Sequence, residues 1–182
     1  MSFRWRTLVT MTVAVNAIAL AVWIDPPPRL IWNASPSVPI GFYRVRAADE
    51  LRVGELAVVA PPEPIARFMA ERGYLPIDVP LIKPVAALPG QRVCRIGLAI
   101  TIDGKAAAEA LERDRFDRPL PAWDGCRDLA DDELFFMNPA RGDSLDGRYF
   151  GPLPASTVIG RATPLRTREP VPPVQSAQPK EN

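Results

Sequence analysis

The sequence has 182 residues and contains no histidine. This absence excludes Ser-His-Asp and Cys-His triads, histidine-ligated zinc and histidine general bases. Proton transfer at a catalytic site must therefore use Asp, Glu, Lys, Tyr or Cys. No pattern in the chain predicts a metal or another cofactor.

An excess of charge of either sign is also missing, because 22 Lys and Arg face 21 Asp and Glu for a net charge of +1. The chain has neither an internal repeat nor a basic stripe interleaved with aromatic residues. Nucleic acid is therefore not an expected partner. The chain has only 11 glycines against 22 prolines. This composition predicts short strands joined by stiff turns rather than long helices.

Charged residues are absent from residues 7–24, where Asn16 is the one strongly polar side chain. Eighteen residues of helix would span roughly 27 Å, close to the roughly 30 Å of a bilayer core. Arg4 and Arg6 precede this segment, and Trp5 flanks it as interfacial aromatics do. The pattern predicts an anchor that contacts membrane lipid and keeps its N-terminus in the cytoplasm. A cleaved signal peptide is one alternative, and a buried helix of a soluble protein is another.

The predicted organisation has four parts. They are a cytoplasmic stub (1–6), a transmembrane anchor (7–24), an exported β domain (25–163) and a proline-rich disordered tail (164–182). Within the domain, strands are expected at 41–46, 55–60, in the run 81–90, and at 93–96, 98–102, 105–108, 134–137 and 157–163. One short amphipathic helix is expected from Pro64 to Gly73, and residues 109–132 are expected to form a surface excursion.

Two serines, Ser35 and Ser37, stand two residues apart in a segment that Pro36 and Pro39 keep out of helical conformation. The prolines predict a rigid, extended loop in which one hydroxyl could act as a nucleophile. The alternative is an ordinary linker next to the membrane, because Ser and Pro are common in turns.

Lys83 interrupts an apolar run that otherwise predicts a buried strand. One interpretation is a side chain that extends from an edge strand into water. The other is a desolvated amine with a lowered pKa that can act as a base. Pro84 lacks a backbone donor, so an edge strand is expected, and such a strand can bind an extended peptide.

Cys94 and Cys126 are the only cysteines. In an oxidising compartment they can form a disulfide across the excursion. Two buried thiols are the alternative, and a catalytic thiol is disfavoured because no histidine is available to activate it.

Three segments together resemble the type I signal peptidase family, and most closely its branch of conjugative-transfer peptidases of the TraF type. The segments are Ser37-Val38-Pro39-Ile40-Gly41-Phe42-Tyr43, Leu81 to Gly90, and Gly142 to Pro152. They occur in the order of that family's nucleophile, base and C-terminal motifs. The resemblance implies a mainly β fold of coiled antiparallel sheets with a partly barrel-like core.

The resemblance also implies a role for each site residue. Ser37 would be the nucleophile and Lys83 the general base. Ser144 would orient the lysine amine, while the Ser37 backbone N–H and the Ser35 hydroxyl would form the oxyanion hole. Such serine–lysine pairs replace the histidine of a triad.

In the last motif, Asp146 would pair with Arg148 to brace the loop. General signal peptidases carry arginine after the base lysine, where this chain has Pro84. Asp146 is therefore expected to depend on Arg148 alone. This departure argues against general cleavage of signal peptides more than it argues against the serine–lysine chemistry.

The resulting hypothesis is a serine endopeptidase of the bacterial inner membrane, with its catalytic domain in the periplasm. It would cleave an exported precursor, expected to be a conjugative pilin, after small residues, and an amine instead of water could resolve the acyl-enzyme to cyclise the product. One alternative is a general type I signal peptidase. Another is a non-enzymatic bitopic scaffold in the envelope of a conjugation or secretion system.

Overall fold

Short antiparallel strands form most of this protein, whose computed structural model describes residues 3–24, 29–48 and 50–169. The helices are α1 (Phe3–Ile24), α2 (Glu63–Glu71) and α3 (Gly147–Phe150), and a 3₁₀ turn covers Ala155–Thr157. The strands are β1 (Leu30–Asn33), β2 (Gly41–Arg46), β3 (Leu56–Val59), β4 (Leu81–Ala87), β5 (Arg92–Ile96), β6 (Ala99–Ile102), β7 (Lys105–Glu109), β8 (Gly125–Asp128), β9 (Glu133–Phe136), β10 (Leu153–Pro154) and β11 (Val158–Thr167).

The strands pair in two antiparallel sheets, which confirms the prediction of a mainly β, antiparallel fold. The larger sheet has the order β1-β2-β11-β3-β4-β9-β10, and the smaller has the order β7-β6-β5-β8. Among the described strands, β1 and β10 are the edges of the larger sheet, so that sheet remains open. The central position of β4 matters for function because this strand carries Lys83.

Apolar side chains on both faces of the larger sheet fix this arrangement. Val38, Tyr43 and Ile82 belong to the cluster on one face. A second cluster covers the other face and contains Val85 and Phe136. A third cluster, which includes Ala87, Val93, Ile100, Phe135 and Met137, joins the two sheets. The site lies where these packed layers meet.

The elements with the most regular sequence patterns were predicted correctly. β2 occupies the predicted residues and alternates buried and exposed side chains. α2 begins one residue before Pro64, and Gly73, with φ of +69°, follows its end. Asp103 and Gly104 form the predicted turn between β6 and β7, where both residues have positive φ.

The prediction that Pro84 marks an edge strand is wrong, because β4 lies between β3 and β9. The Val85 N–H donates to Glu55 O on the β3 side, so the Pro84 nitrogen faces β9. The β9 register begins at Val85, and beyond it Pro84 O still accepts from the Met137 N–H at 3.2 Å, so Pro84 gives up only its donor bond at the end of this pairing. As a result, Leu81–Lys83 have a partner strand on one side only within the described residues.

Three further boundaries differ from the prediction. The excursion 109–132 contains β8, which pairs with β5. The predicted tail begins inside β11, whose last residues pair with β2, and residues 170–182 lie outside the described part. The last motif contains the one-turn helix α3 instead of a continuous loop.

The N-terminal helix α1 exposes its apolar side chains, including Leu8, Met11, Val15 and Ile18. In residues 3–24, 29–48 and 50–169, no helix has the length and apolar character needed to cross a membrane.

Candidate active site

Lys83 is buried in the middle of β4, with 3% of its surface exposed. Its Nζ donates a hydrogen bond of 2.6 Å to Ser144 Oγ. The pKa of Lys83 is lowered to about 8, mainly by burial and in smaller part by Arg148, while Asp146 and Asp143 act in the opposite direction. The amine is therefore desolvated, which excludes the interpretation of a side chain extended into water.

Asp146 and Arg148 form a buried ion pair beside Ser144. Arg148 donates from Nε to Asp146 Oδ1 and from Nη2 to Oδ2, both at 2.9 Å. The two side chains are 1% and 0% exposed. Arg148 Nη2 also donates to Ser144 O at 3.1 Å. The guanidinium thus holds the backbone of the residue that contacts the Lys83 amine.

Asp146 has more partners than the expected single arginine. Its carboxylate caps α3 by accepting from the Arg148 backbone N–H at 3.2 Å. It also accepts from the Asn138 N–H at 3.1 Å. These contacts replace the second arginine that Pro84 excludes.

Ser35 and Ser37 lie in a tight turn, so the prediction of an extended loop is wrong. The Asn33 side chain closes the turn: Nδ2 donates to Ser35 O at 2.8 Å and to Val38 O at 3.0 Å. Asn33 Oδ1 accepts from the Ser35 N–H at 3.2 Å. Asparagine favours such turns because its short amide can bond to the nearby backbone.

The two serine hydroxyls share a hydrogen bond of 2.9 Å inside this turn. Both residues are half-buried, and Val38, which follows them, is buried in the same cluster as Ile82. The turn therefore packs against the strand that carries Lys83.

Asn138 connects the serine turn with the buried ion pair. Its Nδ2 donates to Ser37 O at 2.6 Å, while its backbone N–H bonds to Asp146. The preceding Met137 donates its N–H to Pro84 O at 3.2 Å, so Asn138 follows the last contact between this segment and β4. Within the described residues, the Lys83 amine bonds to Ser144 and makes no hydrogen bond to Ser37.

A small apolar cavity adjoins the amine. It encloses about 10 Å³ and is lined by Val59, Ile65, Leu81, Lys83, Phe136, Asp146, Gly147, Phe150, Gly151 and Leu153. Its walls keep water away from Lys83, which is the physical reason for the lowered pKa.

Cys94 and Cys126 form a disulfide, with sulfur atoms 2.02 Å apart. They stand directly opposite each other in the register of β5 and β8. The disulfide therefore lies in the smaller sheet and takes no part in the lysine site itself.

Four residues of this region were missed by sequence reasoning. Asn33 and Asn138 each precede a turn, and that position was the available signal. Arg95 and Trp123 contact the backbone of α3 from the smaller sheet and from the excursion. Nothing in the local sequence indicates those contacts, because they depend on how the two sheets pack.

Comparisons with known proteins agree with the motif pattern. Residues 2–165 match the family model described as "Signal peptidase, peptidase S26". The chain is 37% identical over 174 residues to a probable conjugal transfer protein TraF of Sinorhizobium fredii, covering 90% of this chain and 89% of that protein. It is 36% identical over 150 residues to a conjugal transfer protein TraF of Agrobacterium fabrum, covering 76% of this chain and 82% of that protein.

A signal peptidase I from Enterococcus faecalis matches 63% of this chain and 98% of its own chain, with 16% identity and a TM-score of 0.38.

Proposed function

The chain belongs to the signal peptidase family, peptidase S26, and from this premise we propose that it is a serine endopeptidase with a Ser37–Lys83 dyad. The resemblance found in the three sequence motifs is thereby confirmed at the level of the family. The observation that carries the dyad proposal is the buried Lys83 amine bonded to Ser144. Because its pKa is lowered to about 8, a substantial fraction of Lys83 is neutral near physiological pH, and the neutral amine can accept a proton.

The proposed reaction begins with transfer of the Ser37 hydroxyl proton to Lys83 Nζ. The amine donates one N–H to Ser144, which leaves its lone pair for the serine proton. Ser37 Oγ then attacks the scissile carbonyl, and protonated Lys83 returns its proton to the departing amine. A water molecule, deprotonated by Lys83, hydrolyses the resulting acyl-enzyme.

The serine turn supplies the proposed oxyanion donors. Within the described residues, the Ser37 backbone N–H has no hydrogen-bond acceptor, and the Ser35 hydroxyl lies 2.9 Å from Ser37 Oγ. The Ser37 N–H can therefore donate to the oxygen that becomes negative when Ser37 attacks, and the Ser35 hydroxyl, which donates to Asn33 Oδ1 at 3.2 Å, would turn from that oxygen to do the same. The side chain of Asn33 and the bond from Asn138 hold the turn in place.

We propose that the substrate binds as an extended strand along the free side of Leu81–Lys83. β9 pairs with β4 only from Val85 onward, so this short stretch can accept a peptide by strand addition. The small cavity beside Lys83 favours small substrate side chains there. A protein substrate agrees with membership of a peptidase family.

The relatives named as conjugal transfer proteins support a role in conjugation, and we propose an exported pilin precursor as the substrate. The main alternative is a general signal peptidase. Depletion of the protein distinguishes them: loss of mating alone supports the specific role, whereas accumulation of many exported precursors supports the general one.

Attachment to a bacterial inner membrane, with the catalytic domain in the periplasm, is the second part of the proposal. The anchor over 7–24 stays a prediction from the sequence. Trp32 and Phe42, which are exposed with ring centroids 4.7 Å apart, lie on a sheet face that also carries Arg44 and Arg166. Such a face suits anionic lipid, and the disulfide suits an oxidising compartment. Retention in the membrane pellet after alkaline carbonate extraction is expected, and release into the supernatant would contradict an anchor.

The dyad is tested by processing of a pilin precursor by purified protein. Ser37→Ala and Lys83→Met should each reduce the rate by about a thousandfold or more, because each removes a reacting group. Ser156→Ala and Lys105→Ala are matched controls, since both residues are exposed, and should process at the normal rate. Normal processing by either Ser37→Ala or Lys83→Met would end the dyad proposal and favour a non-enzymatic scaffold.

A further inference from the structure

Arg95 is a buried cation whose partners are backbone oxygens. It is 3% exposed, and in the part of the chain that the structure describes no carboxylate lies within ion-pair distance of it. Burying a guanidinium without a counter-charge costs several kcal/mol unless its donors are satisfied. The Arg95 donors bond instead to carbonyl oxygens of Gly97, Pro121 and Arg148.

These bonds join three separate segments. Gly97 follows β5, Pro121 belongs to the excursion, and Arg148 lies in α3. The guanidinium also lies 5.9 Å from the centre of the Tyr149 ring. Arg95 therefore fixes α3, which carries the Asp146–Arg148 ion pair, against the smaller sheet.

Trp123 makes a second contact with the same turn. Its Nε1–H donates to Gly147 O at 3.0 Å, while its ring packs edge-on against Phe135. The excursion adds a third contact through the Leu111 N–H, which donates to Tyr149 Oη at 3.0 Å. Successive residues of α3 are thus held from outside the larger sheet.

The contacts continue from α3 to the lysine amine. Arg95 holds the backbone carbonyl of Arg148, the Arg148 guanidinium bonds to Ser144 O, and Ser144 Oγ accepts from Lys83 Nζ. A shift of α3 would move Ser144 and admit water to the amine. The side chains of Asp146, Asp143 and Arg148 are the charged groups that act on Lys83 in this setting.

We propose that Arg95 and Trp123 are positioning residues, which hold α3 so that Ser144 keeps the Lys83 amine oriented and dry for the proposed proton transfer. The proposal rests on the peptidase function for its catalytic consequence. Its physical consequence, the environment of Lys83, can be measured without a substrate.

The test uses the full-length protein labelled with ¹³C at lysine Cε. The sequence has three lysines, Lys83, Lys105 and Lys180, so the NMR titration of each can be followed separately. Arg95→Met and Trp123→Phe should each raise the pKa of Lys83 by about half a unit or more, because a loosened site hydrates the ammonium form. Trp123→Phe keeps an aromatic side chain and the net charge, and it removes the N–H donor together with the five-membered ring of the indole.

Arg92→Met is the matched control. Arg92 lies on the same strand as Arg95, but it is exposed and pairs with Asp128. Loss of that surface pair should leave the Lys83 titration unchanged. If Arg95→Met does not fold, Trp123→Phe alone carries the test.

A measurement of precursor-processing kinetics completes the test of Arg95→Met and Trp123→Phe. Both variants should lower kcat severalfold near neutral pH, lose less at alkaline pH and leave KM unchanged. A Lys83 titration in Trp123→Phe identical to that of the unmodified protein would overturn the proposal, and a shift confined to Arg95→Met would show that removal of its charge alone is responsible. An unmodified protein that processes no precursor would contradict the peptidase function, while the titration would still report on positioning.

Discussion

At the scale of single residues, the burial of Lys83 lowers the stability of the folded protein and also lowers the pKa that the proposed proton transfer requires. The pKa of Lys83 is about 8 in the folded protein because burial disfavours the ammonium form. In the unfolded chain a lysine titrates near about 10.4. Between these two pH values the unfolded chain binds more protons at this lysine than the folded protein does, so the free energy of unfolding rises with pH. Below about pH 8 the amine is protonated in both states, and the full cost of burying the ammonium destabilises the folded protein.

Lys83→Met should therefore raise the stability of the protein near neutral pH. The difference in unfolding free energy between the variant and the unmodified protein should shrink by about 3 kcal/mol between about pH 8 and about pH 10.4. Urea unfolding of both proteins across this range measures the difference. A difference that does not change with pH would show that the amine is not desolvated in the folded state.

Gly147 is a second residue on which the site depends. A methyl group there would lie 2.6 Å from the Phe135 ring and 2.7 Å from the Phe136 carbonyl oxygen. Gly147→Ala should therefore destabilise the protein by about 1–3 kcal/mol and displace α3 from β9. Gly142→Ala, at an open position of the same loop, is the control. Equal thermal midpoints for both variants would disprove this close contact.

At the scale of elements, regular patterns were sufficient to predict the strands that alternate or turn sharply. β2 and the β6–β7 hairpin were predicted because side-chain alternation and turn chemistry are local properties. The edge prediction for β4 failed because the position of Pro84 relative to β9 is set by register between distant strands. The turn at Ser37 was missed because it is closed by the side chain of Asn33 rather than by proline alone.

The disulfide joins β5, which contains Arg95, to β8, which follows Trp123 in the chain. Replacing both cysteines with alanine should lower the unfolding free energy by about 3–4 kcal/mol, because the bond closes a long loop in the unfolded chain. The sequence separation of the two cysteines is 32 residues. Urea unfolding with and without the double substitution measures this loss. An unchanged midpoint would mean that the smaller sheet does not depend on the bond.

At the scale of the whole molecule, three segments far apart in sequence converge on one place. β4 carries Lys83, and the neighbouring β9 leads into the segment with Ser144 and Asp146. The serine turn reaches them through Asn138, which bonds to Ser37 O. The sequence supplied the candidate residues through motif order, but their burial depends on packing of both sheets and could not be derived locally.

The proposed acyl-enzyme can be resolved by water or by the amino terminus of the bound product. If the amino terminus of the bound product attacks the Ser37 ester, an amide forms and the serine hydroxyl is released, giving a cyclic product. Hydrolysis is the proposed step, and cyclisation is the alternative for a pilin substrate of the conjugative type. The intact mass of the mature product decides it, because a cyclic chain is lighter by one water than the linear hydrolysis product. A linear mass would exclude cyclisation and leave hydrolysis in place.

The most direct test of the dyad is the labelling of Ser37 by a small activated ester at a series of pH values, with the modified residue located by peptide mass spectrometry. We predict that the acyl group is found on Ser37 and that its rate of attachment rises with pH to a plateau, with a midpoint near 8 set by Lys83. Lys83→Met should abolish this rise, while Lys105→Met should preserve it. Attachment to another residue, or a rate on Ser37 that is unaffected by Lys83→Met, would contradict the assignment of Ser37 and Lys83 as nucleophile and base.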